Sequence, residues 1–205
     1  MRKVLKLFIP FSRSYLSEAY GVKKKEVQIL IEDDIIHNFI LRLCRNSEVA
    51  EIVVYSNDLI RCRDIQSSKL RFAHRDSSLD KVKSRREIES VGRQIFKNEM
   101  FAQVNPLFPL LSIETIRSVL NICEKSDCNS FMGISGTTLK LKGPFFVHEN
   151  GDHTLDYGAV TGYGRAADNN NWKCFGEHLS IETLNLRTER DIATIKAVMN
   201  LGMVI

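Results

Sequence analysis

Four short stretches hold the side chains that could do chemistry. Pro10-Phe-Ser12-Arg13-Ser14 runs on to Lys23, Lys24 and Lys25, so one segment brings a guanidinium and three ammonium groups to a polar loop. Such a cationic loop between a strand and a helix can hold a polyphosphate through charge and backbone amides. No GxxxxGK[ST] occurs, so it is not a Walker loop. Ser56-Asn57-Asp58 follows an apolar run and offers Asp58 to a metal or a ribose. Asn105-Pro-Leu-Phe-Pro-Leu-Leu111 offers Asn105, and the stretch Asn185 to Asp191 offers Asn185.

Other arrangements carry less. The histidines show neither nucleophile nor metal spacing. The five cysteines are odd in number with no CxxC pair, as expected of reduced thiols. Between Arg61 and Arg86 stand nine Lys or Arg residues against three acids, in a chain of net charge +4. That stretch fits either a phosphate-bearing partner or a solvated face around a long loop. Phe72 is its one aromatic, so it lacks the stacking platform of a single-strand binder, and nucleic acid is not the expected partner.

The elements that must position these residues alternate in kind. Val4–Ile9 is apolar at nearly every position, the mark of a strand covered on both faces. Ile31, Ile35, Phe39 and Leu43 recur every four residues in a helix expected over Leu30–Cys44. Strands are expected at Glu51–Tyr55, Leu70–Ala73, Phe101–Asn105, Ser130–Ile134 and Leu179–Leu186. Helices are expected at Arg86–Lys97, from Ser112 as N-cap, and from Thr188. The glycine-rich segment 136–164 reads as a hairpin-rich excursion, with β-like pieces at Thr138–Leu141, Phe145–His148 and Val160–Tyr163. Alternating strands and helices in 205 residues predict one α/β domain with a mainly parallel, Rossmann-like sheet. In such sheets ligands sit at the carboxyl ends of the strands, where the four stretches fall. The N-terminus reaches Pro10 and charge too soon for a signal peptide, no run has membrane-spanning length, and the cytoplasm is the expected location.

Five landmarks in order resemble the cytidylyltransferase-like sugar nucleotidyltransferases, the group that includes the acylneuraminate cytidylyltransferases. Ile9-Pro10-Phe-Ser-Arg13 with Leu30-Ile31 looks like that family's opening Ile-Pro-Ala-Arg strand end and helix start. Ile52 to Asp58 looks like its Ser-Thr-Asp turn, and Leu70 to Arg75 like its short strand and Arg-Pro turn. Gln103 to Ile116 is similar to its Gln-Pro-Thr-Ser-Pro-Leu-Arg motif, and Leu184 to Asp191 to its Asp-Ile-Asp-Thr-x-x-Asp junction. The resemblance implies a three-layer α/β/α nucleotidyltransferase fold, of the nucleotide-diphospho-sugar transferase type. It also implies transfer of CMP from CTP to a sugar acid in glycan biosynthesis, with magnesium bound and a homodimer as the assembly it allows. Carried over by residue, it gives Arg13 and Asp58 catalytic roles. Pro10, Ser12, Lys23, Lys24, Lys25, Arg75 and Asn105 become nucleotide contacts, and Asp58 and Asn185 metal ligands.

The departures are equally specific. Leu107, Phe108 and Leu111 stand where that motif has two hydroxyls and a cation. Asn185 and Arg187 stand where the junction has metal-facing aspartates, and Arg187 cannot bind a cation. These substitutions leave a second reading open, a catalytically impaired relative that keeps nucleotide binding or a role in partner assembly.

Overall fold

The computed structural model describes residues 4–11, 35–57, 61–76, 85–97, 99–126, 129–133, 140–142, 145–147, 153–154, 160–164, 172–177, 182, 184, 186 and 189–200. In chain order these form β1 (Leu5–Pro10), α1 (Ile35–Arg45), β2 (Val49–Ser56), a 3-10 turn at Arg61–Asp64, β3 (Leu70–His74) and α2 (Arg85–Ile95). Then come β4 (Phe101–Val104), α3 (Ile113–Ser126), β5 (Asn129–Gly133), β6 (Lys140–Lys142), β7 (Phe145–Val147) and β8 (His153–Thr154). The chain continues through β9 (Val160–Tyr163), β10 (Trp172–Glu177) and α4 (Glu189–Asn200). None of the described helices is long and apolar enough to cross a membrane.

Seven strands make the main sheet, in the order β10-β5-β9-β4-β1-β2-β3. The pairs β1–β2, β1–β4, β2–β3 and β5–β10 are parallel, whereas β9 runs antiparallel between β4 and β5. The sheet is therefore mainly parallel, as the sequence predicts. Helices packed on both faces of this sheet give a three-layer α/β/α architecture.

Alternation within the central strands builds two cores. Leu5, Leu7 and Ile9 of β1 and Ile52 and Val54 of β2 pack with buried residues of α1, α3 and α4 on one face. Phe8, Val53 and Tyr55 point to the other, where Ile88 of α2 joins Phe96, Phe101 and Tyr163. A strand buried on both sides has no need of polar alternation, which is why Val4–Ile9 reads as one apolar run.

The second core is aromatic. Phe101 is stacked on Phe96 at 5.1 Å and on Tyr163 at 4.8 Å, with Phe8 meeting it edge-on at 6.1 Å. Such pairs add roughly 0.5–1.5 kcal/mol each beyond the area they bury. Arg93 clamps α2 onto this layer. It pairs with Glu89 at 2.9 Å, donates to the Gly164 carbonyl at 3.0 Å and lies over the Tyr163 ring.

Two expectations need correction. The strand expected at Leu179–Leu186 is not a strand among the residues described there. Glu182 is in a 3-10 turn, Leu186 is in a turn, and the last strand is β10 at Trp172–Glu177. Leu186 is fully buried in the first core, and Leu184 packs against it. The apolar spacing there comes from a loop lying on the core. Secondly, Val160–Tyr163 is no part of the excursion. As β9 it lies inside the main sheet, paired from Phe101↔Tyr163 to Val104↔Val160. The separate antiparallel sheet is confined to β6, β7 and β8. The part of the first helix expected before Ile35, and Thr188 at the start of the last, lie outside the described residues.

Gly92 sets how closely α2 approaches the sheet. A Cβ there would lie 2.7 and 2.8 Å from ring carbons of Phe101 and 3.3 Å from Phe8. Since Phe101 is held between two other rings, it cannot swing away. Gly92→Val is expected to destabilise the fold by about 1–3 kcal/mol, read as a lower urea midpoint at unchanged slope. An unaltered midpoint would show that α2 can shift at no cost.

Candidate functional site

Because β1, β2, β3, β4, β5 and β10 run the same way, their carboxyl ends share one edge of the sheet. The chain also leaves β5 for β6–β8 from this edge and returns to it at the start of β9. Each strand end there has its own local cause.

Pro10 is the last residue of β1 and is buried. Proline has no N–H to give a ladder, which suits a strand end. The next amide, that of Phe11, donates to the Tyr55 carbonyl at 3.0 Å and fixes the direction in which the chain leaves the sheet.

Arg75 follows β3, with its amide 3.4 Å from the Ser56 carbonyl. Its side chain is fully buried, with the guanidinium over the Tyr55 ring at 5.6 Å. A positive charge is thus sunk into the carboxyl edge beside β2, and the aromatic face contributes to holding it.

At the end of β4, Asn105 turns the chain with its own side chain. Its Oδ1 accepts the Leu107 amide at 3.1 Å, and its carbonyl accepts the Phe108 amide at 3.1 Å. The first bond fixes which way the amide points. Its Nδ2 is left buried, with no hydrogen-bond partner among the described residues, in a residue only 5 % exposed. A buried donor without an acceptor costs about 1–3 kcal/mol. A ligand oxygen would relieve that cost.

The loop behind Asn105 is packed as core. Leu107, Phe108, Leu110 and Leu111 all belong to the first cluster. Three outside contacts hold its backbone. The Leu186 amide donates to the Leu107 carbonyl at 3.1 Å, and Arg42 Nη2 donates to the carbonyls of Pro109 at 3.0 Å and Leu111 at 2.6 Å. The loop ends at Ser112, whose Oγ accepts the Thr115 amide at 3.1 Å, the N-cap expected for α3.

Pro10, Arg75 and Asn105 are therefore brought to one edge. Ser12, Arg13, Lys23, Lys24, Lys25, Asp58 and Asn185 lie outside the described residues. The described neighbours Phe11, Asn57, Leu184 and Leu186 lie next to three of these stretches. Among the described residues no three His, Cys, Asp or Glu side chains group as a metal site. The chemistry of the assigned donors still suits magnesium. Asp58 would offer a carboxylate and Asn185 an amide oxygen, ligand types this ion takes when phosphate oxygens and water complete its shell.

Arg42 was missed by sequence reading. Burial draws its pKa below the ordinary arginine value, and the negative charge of Glu182 opposes that shift. A basic residue in the last turn of a helix is ordinarily read as a complement to the helix dipole. The available signal was its place three residues after Phe39, over whose ring it lies at 5.5 Å.

No protein-family model matches the chain, and no curated protein matches it. Solved structures do. The chain is similar to 4-diphosphocytidyl-2C-methyl-D-erythritol synthase from Anaerococcus prevotii at 11% identity and a TM-score of 0.57, covering 97% of this chain and 96% of that one. The 2-C-methyl-D-erythritol 4-phosphate cytidylyltransferase from Thermus thermophilus gives 11% and 0.57, over 96% and 99%. CMP:2-keto-3-deoxy-manno-octonic acid synthetase, solved with CTP, also gives 11% and 0.57, over 98% and 100%. At this identity the likeness is one of fold, and over nearly its whole length the chain has the nucleotidyltransferase-type α/β fold of these cytidylyltransferases.

Proposed function

We propose that this chain binds CTP at the carboxyl edge of its sheet and transfers the cytidylyl group to an anionic sugar, of the sugar-acid class to which the acylneuraminates belong. The observation that carries the reading is the buried, unsatisfied Asn105 Nδ2 at the end of β4, in a fold shared along nearly the whole chain with cytidylyl-transfer enzymes, one of them solved with CTP. One of those neighbours is named for an octonic acid, and two for a methylerythritol or its phosphate.

In the proposed reaction the acceptor hydroxyl oxygen bonds to the α-phosphorus of CTP. The bond from that phosphorus to the bridging oxygen of the β-phosphate breaks, pyrophosphate leaves with the electron pair, and the hydroxyl proton is released. Phosphoryl transfer of this kind depends mainly on positioning and charge neutralisation. Asn105 Nδ2 donates to an oxygen of the bound nucleotide, and Arg75 supplies fixed positive charge farther along the same edge. Arg13 with Lys23, Lys24 and Lys25 takes the triphosphate, Ser12 and Pro10 shape the turn that receives it, and Asp58 lines the reacting centre. Magnesium, assigned to Asp58 and Asn185, would add neutralisation of the phosphate oxygens. Glycan biosynthesis and a homodimer belong to the same reading.

A second reading rests on the loop after Asn105. Leu107, Phe108 and Leu111 are at most 1% exposed and pack as core, where the resemblance puts two hydroxyls and a cation. A chain lacking those groups can keep the nucleotide and lose the transfer.

A nucleotide panel followed by calorimetry, with and without magnesium, separates the two. The active reading expects CTP-selective binding strengthened by magnesium and pyrophosphate release on adding a sialic-acid-type sugar. Binding without release selects the impaired relative, and no binding of any nucleotide rejects both. Arg13→Ala is expected to weaken CTP by about 1–3 kcal/mol, as for hydrogen bonds to a charged group; unchanged affinity removes Arg13 from the site. Asn105→Asp keeps the acceptor for the Leu107 amide but replaces the orphan donor by a negative oxygen. It is expected to cost at least about 1 kcal/mol of CTP affinity, and to lower the melting temperature because it buries a carboxylate. If affinity stays at the wild-type level, Nδ2 has no part in nucleotide binding.

A further inference from the structure

We infer that Arg42 is a positioning residue for the candidate site: from α1 it holds the 105–111 loop in the register that presents Asn105 to the nucleotide. The inference rests on the proposed CTP site and adds to it a residue outside the strand-end stretches.

Its basis is the number of elements that meet at one guanidinium. Arg42 lies over the Phe39 ring of its own helix, and its Nη2 spans the carbonyls of Pro109 and Leu111, 3.0 and 2.6 Å away. Those carbonyls belong to a loop with prolines at 106 and 109, which supply no amide at those positions. Few internal bonds can then set the loop's shape. The internal bonds observed are the turn at Asn105 and that from the Leu111 amide to the Phe108 carbonyl at 3.2 Å. The opposite side of the loop is tied to Leu186, and the charge of Glu182 acts on Arg42. Thus α1, which follows the cationic loop assigned to the triphosphate, is joined through Arg42 to the loop that carries Asn105. The segment around Asn185 is joined to the same loop.

A planar cation suits this place. The two N–H groups of Nη2 reach one carbonyl each while the planar face rests on a ring, whereas lysine offers a compact charge with no face to stack. Arg42→Lys therefore keeps the charge and the fold but relaxes the loop.

The test measures CTP affinity by calorimetry with magnesium for the full-length chain, Arg42→Lys, Asn105→Asp and the double variant, with melting temperatures taken in parallel. Arg42→Lys is expected to weaken CTP by about tenfold, and the double variant to be little worse than Asn105→Asp alone, because residues acting through one loop are not additive. Additive losses, or wild-type affinity in a folded Arg42→Lys, would overturn the positioning role and leave the CTP site standing. A wild-type chain that binds no CTP overturns the site, and this inference with it. Should Arg42→Lys not fold, Arg42→Gln, which keeps a donor for the loop carbonyls but removes the charge and the planar cation over Phe39, takes its place with the same expected non-additivity.

Discussion

The covering of β1 and β2 on both faces is the constraint on which the rest of this molecule depends. Leu7 and Ile9 are sealed beneath one helical layer and Phe8 beneath the other. A strand in that position has no solvent-facing side on which to carry a polar group. Polar side chains are displaced to the strand ends, and parallel pairing collects those ends on one edge. Arg75 and Asn105 are buried there without being part of either apolar cluster. Each such group carries a desolvation cost that partners or a ligand must offset.

The same constraint explains how much the sequence revealed. Central strands showed as nearly continuous apolar runs, and α1 and α3 showed as four- and three-residue repeats, because each buries one stripe against a flat layer. The edge region was harder. β10, Trp172-Lys-Cys-Phe-Gly-Glu177, alternates weakly and contains a glycine, whereas the following Leu184 and Leu186 carry stronger apolar spacing from a loop. Pattern alone favours the wrong one. For β9, its four residues with Gly162 look like another hairpin piece, and only pairing with β4 and β5 reveals a main-sheet strand.

Of the candidate residues, the strand-end rule picked out Pro10 and Asn105 without any coordinate, since chain direction alone decides which end is shared; Arg75 came from the resemblance. The rule could not find Arg42. That residue acts through carbonyl groups 67 and 69 positions away, a pairing with no local signature. Nor could it tell that Leu107, Phe108 and Leu111 would become core. A loop this apolar serves the fold first, and it leaves Asn105 as its one buried unsatisfied side chain among the described residues.

Amide hydrogen exchange with and without CTP and magnesium tests the central claim most directly, because it reports where a nucleotide sits residue by residue. The account predicts slowed exchange at Phe11, Asn57 and the amides of Leu107 and Phe108, with little change at the opposite ends of the same strands. Protection at those opposite ends, or none at the carboxyl edge when CTP is bound, would contradict it.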